Sequence, residues 1–135
     1  MTPSSLTPRL FAYLSYRDAS AALGWLQHLG FEVVRRQDAD DGTVMHSEVR
    51  LGDVVLMVAS HDAAYAMPPL VGRSTGQGLY LLVDEVDALH DKAVGAGGRS
   101  VIGPEDTEWG TRRARVLDPE GREWSFGTYE PGASW

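Results

Sequence analysis

The chain has 135 residues, 43% of them apolar and 23% charged, which suits one soluble globular domain with a single core and argues against a disordered or fibrous chain. It contains no cysteine, so disulfides, thiolate nucleophiles and cysteine-ligated zinc or iron–sulfur centres are excluded. Twelve basic against nineteen acidic residues leave a net charge of −7, which repels nucleic-acid phosphates.

The N-terminal stretch MTPSSLTPRL lacks the basic and apolar regions of an export signal. No run approaches the roughly 20 apolar residues that span a bilayer, so a cytoplasmic location without membrane contact is expected. LFAYLSY, residues 10–16, is rich in strand formers. RDASAALGWLQHLG then takes helical spacing, with Ala22, Leu23, Leu26 and Leu29 on one stripe. Asp18 suits the N-cap of that helix and Gly30 the position just past its end. Three strand-like runs follow, FEVVRRQ, TVMHSEVRL and VVLMVAS, separated by the turn signals DADDG and GD. Module one, about residues 8–60, is therefore βαβββ.

Residues 61–76, with Pro68-Pro69 and several small side chains, read as a linker. From about residue 77 to 130 the same order recurs. GLYLLVD is a strand, and EVDALHDKAVGAGG is a helix capped by Asp84, closed by Gly97 and Gly98, with Val86, Leu89, Ala93 and Ala96 on its stripe. RSVIG, TRRARVLD and REWSFGTY are the three remaining strands, the last two joined by the turn Asp118-Pro119-Glu120-Gly121. The fold class is α+β: two βαβββ modules form a curved mixed sheet around a cleft, helices outside. The cleft is the default binding site.

The order of YRDASAALGWLQHLGFEV, MHSEVRLGDVVLM, LYLLVDEVDALHDKAVGAGG and EWGTRRARVLDPEGREWSF resembles the vicinal oxygen chelate superfamily, also called the glyoxalase, bleomycin-resistance and dioxygenase superfamily. The nearest look is to its PhnB-like branch, over about residues 8–130. The resemblance implies a homodimer, sometimes with exchanged modules, and in metal-using members four ligands on four strands. Carried onto this chain, those four positions hold Phe11, Met57, Gly78 and Ser125. None is a ligand for a divalent first-row metal, which takes imidazole or carboxylate in such a site. No cofactor is therefore expected.

An alternative divalent transition-metal set is His46 and Glu48, two apart on one strand face, with Glu123. The same polar face equally serves hydrogen bonding to a ligand. Phe11, Tyr13, Tyr80 and Trp109 either line one cavity for a planar or cationic ligand or fill the interior of the sheet. Glu48, Asp106, Glu108 and Glu123 would give the mouth a negative potential. Arg50, Arg112 and Arg113 could instead hold a carboxylate or phosphate. His28, His61 and His90 receive no catalytic role; Trp25, Trp124 and Phe126 are assigned to packing and Trp135 to a loose terminus.

The expected binding residues are thus Phe11, Tyr13, His46, Glu48, Met57, Tyr80, Trp109, Arg112 and Ser125. Three functions compete. The leading one is a metal-independent small-molecule binding protein that sequesters an antibiotic or other toxic compound. The second is a metal-dependent lyase, isomerase or dioxygenase using His46, Glu48 and Glu123, and the third is an interaction module with a filled cleft.

Overall fold

Alternating burial along an inner strand, with one apolar face and one mixed face, requires a helix to cover the apolar side and leaves the other open. In the computed structural model, which describes residues 7–65 and 77–133, module one follows that rule. Strand β1 (Ala12–Tyr16) is followed by helix α1 (Ala19–His28), then β2 (Glu32–Asp38), β3 (Val44–Leu51) and β4 (Val54–Ser60). Module two repeats it with β5 (Gly78–Leu82), α2 (Val86–Gly95), β6 (Arg99–Asp106), β7 (Arg112–Leu117) and β8 (Glu123–Gly127).

The strands make two four-stranded mixed sheets, ordered β1-β4-β3-β2 and β5-β8-β7-β6. In each, the first strand of the module runs parallel to the last and the remaining pairs are antiparallel. Each half of the expected sheet is therefore complete within its own module.

The sequence signals at the first helix hold. Asp18 accepts a hydrogen bond from the Ala21 amide at 3.0 Å, and Gly30 takes a φ of 109° past the helix end. At the second helix the cap differs from expectation. The helix starts at Val86, so Glu85 rather than Asp84 is the N-cap, and it makes no side-chain capping bond.

Strand β6 also runs beyond the expected RSVIG, as far as Asp106. It continues through Pro104 because it is the edge strand, and the register with β7 shifts between Ile102 and Glu105. An edge bulge accommodates proline without the loss of an interior ladder bond.

One hydrophobic cluster joins the modules, from Leu14, Leu23 and Leu26 to Val86, Ala114, Trp124 and Phe126. The helices pack on one another at its centre: Trp25 Nε1 donates to the Ala93 carbonyl at 3.0 Å, and the Trp25 and Trp124 rings lie 5.7 Å apart. The turn Asp118–Gly121 closes with the expected bond from the Gly121 amide to the Asp118 carbonyl at 2.8 Å.

That turn also reaches across to module one. Tyr16 Oη donates to Asp118 Oδ2 at 2.6 Å, and Glu120 accepts from the Arg17 and Asp18 amides at 2.8 Å each. The start of α1 is thus held by a carboxylate of the other module. No helix among the described residues is long and apolar enough to cross a membrane. Residues 66–76 of the expected linker, and Trp135, lie outside the described residues.

Candidate ligand-binding site

The open face of the first sheet carries Tyr13, Met57, Glu48 and Arg35 side by side across four strands, since Tyr13 pairs with Met57, Met57 with Glu48 and Glu48 with Arg35. The second sheet presents Tyr80, Ser125, Arg115 and Ile102 in the corresponding row. The helix-facing positions of the inner strands are mostly apolar and buried. Ser47 is fully buried, and its hydroxyl is satisfied by the Val58 carbonyl.

His46 and Glu48 share the open face, as their spacing requires, and Val49 and Leu51 turn towards the helix-covered side. His46 Nε2 lies 2.8 Å from Glu48 Oε2. That hydrogen bond, with Arg35 at 3.7 Å, holds the Glu48 carboxyl below the usual carboxylate range.

Glu123 does not join this pair. It lies on the other sheet, paired with Gly78 across β5 and β8, and its Oε2 is 3.7 Å from Arg115. The alternative metal set is therefore not assembled. Among the described residues no three histidine, aspartate or glutamate side chains gather into a metal-holding group.

The four positions that the resemblance gives to metal ligands offer a phenyl ring, a thioether, a bare glycine and a hydroxyl. Ser125 Oγ already accepts from Arg115 Nε at 3.0 Å. This donor set does not fit a divalent first-row ion.

The four aromatic rings do not fill the sheet interior. Phe11, Tyr13 and Tyr80 are 40–46% exposed and Trp109 is 77% exposed. They do not share one cavity either. Phe11 precedes β1 and stacks under the Arg9 guanidinium, while Tyr13 donates to Asp62 at 3.1 Å.

Tyr80 and Trp109 do come together, in a hollow of about 460 Å³ at the end of the second sheet. Tyr129, Arg112, Arg113, Thr107 and Thr111 complete its wall. The volume falls within the range of small-molecule sites.

Local chemistry positions each ring. Gly127 leaves space for Tyr80: a Cβ there would meet the Tyr80 hydroxyl and ring carbons. With that space open, Tyr80 Oη reaches the Tyr129 carbonyl at 2.6 Å, and burial raises the phenol above its ordinary value. Trp109 sits on the turn between β6 and β7. Thr107 Oγ1 accepts there from the Trp109 amide at 3.2 Å and the Thr111 amide at 3.3 Å.

Strand alternation puts Arg112 and Arg113 on opposite faces of β7. Arg112 turns to α2, donating to both oxygens of Asp87 at 2.6 and 2.9 Å and to Asp106 at 2.9 Å. This fork holds the Asp87 carboxyl below its usual range. Arg113 on the opposite face donates twice to Glu105, at 3.0 and 2.8 Å.

Of the nine expected binding residues, the hollow therefore takes Tyr80, Trp109 and Arg112. Phe11, Tyr13, His46, Glu48 and Met57 lie on module one, and Ser125 lies deeper on the second sheet, beside Arg115. Sequence reading missed Thr107, Thr111 and Tyr129 as wall residues. The two threonines flank the turn Glu108-Trp109-Gly110, and that spacing was the available signal.

The family model of the Glyoxalase/Bleomycin resistance protein/Dioxygenase superfamily matches residues 10–126. The uncharacterized protein Mb0911c of Mycobacterium bovis is 30% identical over an alignment of 129 residues that covers 91% of this chain and 84% of that protein. The crystal structure of TioX from Micromonospora sp. ML1 is similar with a TM-score of 0.72 and 28% identity, over 92% of this chain and 100% of that one. A PhnB protein from Bacillus cereus shares the fold at a TM-score of 0.64 and 16% identity, over 88% of this chain and 98% of that one. With its duplicated βαβββ modules and a match along nearly its whole length, the chain belongs to the glyoxalase/bleomycin resistance protein/dioxygenase superfamily.

Proposed function

We propose that the protein binds a small molecule without a metal and acts by sequestering it, as an antibiotic or other toxic compound in the cytoplasm. The observation that carries this reading is the hollow walled by Tyr80, Trp109 and Tyr129, whose neighbouring arginines are engaged with carboxylates of the chain. Such a wall supplies contact area and stacking. Binding is then the function itself, and protection scales with the amount of protein rather than with turnover.

The family description includes bleomycin resistance proteins, which supports the reading at the level of class. Exposed Tyr13, Met45, Leu82 and Val101 support a homodimer in which a second copy covers apolar surface. Light scattering at micromolar concentration reads the mass, and a monomer removes the dimer from the proposal.

Tryptophan fluorescence titration against a panel of planar and cationic antibiotics tests the binding role. Dissociation constants at or below micromolar are expected for at least one compound. Failure of the whole panel argues against sequestration of antibiotics. The metal-dependent lyase, isomerase or dioxygenase reading rests on the His46–Glu48 contact of 2.8 Å. A stoichiometric transition metal in tag-free protein, lost in His46→Ala, would favour it.

A further inference from the structure

We propose that the hollow at the end of the second sheet selects an uncharged, flat aromatic ligand, gripped by ring faces rather than by ion pairs. This rests on the small-molecule binding reading above and names its ligand class.

Most polar groups around the hollow are already engaged within the chain. Tyr80 donates its hydroxyl hydrogen to the Tyr129 carbonyl, and one hydrogen bond of 2.7 Å joins the Thr107 and Thr111 hydroxyls. Arg112 is forked onto Asp87 and also bonded to Asp106, and Arg113 is held twice by Glu105. What faces the space is therefore mostly ring surface and aliphatic stem.

A ligand anion would have to displace carboxylates that the chain holds beside the arginines at high effective concentration. A ligand cation would find ring faces to approach, but the carboxylates beside the hollow, Asp87, Asp106 and Glu105, are already paired with Arg112 and Arg113 rather than turned to a ligand. Either ion would give up hydration on entering an apolar wall. The negative potential expected from Asp106 at the mouth is offset locally, because Arg112 NH1 lies 2.9 Å from its carboxylate. A flat neutral ring system loses little hydration and gains stacking on Trp109 and Tyr80.

The test is calorimetric titration with three probes that share one bicyclic ring: naphthalene-2-carboxamide, 2-naphthoate and (2-naphthylmethyl)trimethylammonium. The carboxamide is expected to bind about tenfold or more tighter than either ion, with little change between low and high salt. Trp109→Ala should weaken it about tenfold, and Trp109→Phe, which keeps a flat ring, should restore most of the loss. Trp109 is 77% exposed, so neither change threatens the fold.

If an ion binds as tightly as the carboxamide and still depends on Trp109, the ligand class is wrong while small-molecule binding stands. If the carboxamide binds best but ignores Trp109→Ala, the assigned hollow is wrong. If no probe binds and Trp109 emission is unmoved, both the class and the binding reading fall.

Discussion

Tyr16→Phe removes one hydroxyl from the contact that joins the modules and leaves the ring in place. Tyr16 is 1% exposed and Asp118 4% exposed, and the 2.6 Å bond between them is one of four that the Asp118 carboxylate accepts. The others come from Trp124 Nε1 at 3.1 Å and from the Glu120 and Arg122 amides at 3.0 Å each. A buried hydrogen bond to a carboxylate contributes about 2 kcal/mol, so the variant should lose about that much at neutral pH.

The loss should shrink in alkali. Burial first, and then the neighbouring Asp118, push the Tyr16 phenol above its ordinary value of 10.0, against the opposing pull of Arg122. The folded state therefore keeps a proton that the unfolded state releases once pH passes that ordinary value. Fewer protons are bound in the unfolded state, so stability falls with rising pH, by about 1.4 kcal/mol per unit from this group. Below the ordinary value the contribution is fully present. Phenylalanine has no such proton, and the remaining tyrosines titrate in both proteins and cancel in the difference.

Urea unfolding followed by circular dichroism at pH 7, 9 and 11 measures the gap. It should be near 2 kcal/mol at the first two values and smaller by about 1.4 kcal/mol at the last. An unchanged stability at pH 7, or a gap that stays constant to pH 11, refutes the assignment of this contact.

Glu120→Ala strips the carboxylate that accepts the Arg17 and Asp18 amides at the start of α1 and should cost about 1 kcal/mol, read as a melting temperature lower by about 4 °C. Gly127→Ala places a methyl against the Tyr80 hydroxyl and ring, so Tyr80 must leave the Tyr129 carbonyl; ligand affinity measured by titration should fall several-fold, with about 1–3 kcal/mol of stability lost. Prolonged chelation should leave ligand affinity within about twofold, measured by the same titration before and after, because the positions that would carry metal ligands are Phe11, Met57, Gly78 and Ser125.

The modules, helix stripes and turns were legible because they depend on spacing. Leu23 and Leu26 of α1 and Val86, Leu89 and Ala93 of α2 are buried as their 3.6-residue period requires, and Trp25, Trp124 and Phe126 pack in the core. Where spacing was ambiguous the reading slipped. Asp84 and Glu85 both precede the second helix, and only backbone geometry decides between them. Pro104 ended the expected strand because an edge bulge is invisible without the neighbouring strand. The site was less legible still. Phe11, Tyr13, Tyr80 and Trp109 all carry the composition of a pocket wall, yet only the last two meet. Which rings meet depends on the placement of turns and chain ends relative to one another, and that is a tertiary property.

The duplicated register explains why scaffold and site separate in this way. Tyr13 stands five residues before its N-cap, 18 − 13 = 5, and Tyr80 likewise, 85 − 80 = 5. From these equivalent tyrosines the cross-strand rows run Tyr13, Met57, Glu48, Arg35 in one sheet and Tyr80, Ser125, Arg115, Ile102 in the other. The pairing is conserved between the halves although every partner of the tyrosine differs. Glu48 in one row stands where Arg115 stands in the other, opposite in charge at the same register position. Helix-facing positions cannot diverge so freely, since Val49 and Val116 are fully buried in a shared core and a polar side chain there would need a partner. The open faces carry no such constraint. One has become a His46–Glu48 polar pair, and the other ends in an aromatic hollow with its charges paired off. Chemistry on this scaffold is therefore set by side chains that the fold does not need, and a function read from architecture alone would miss the difference between its two halves.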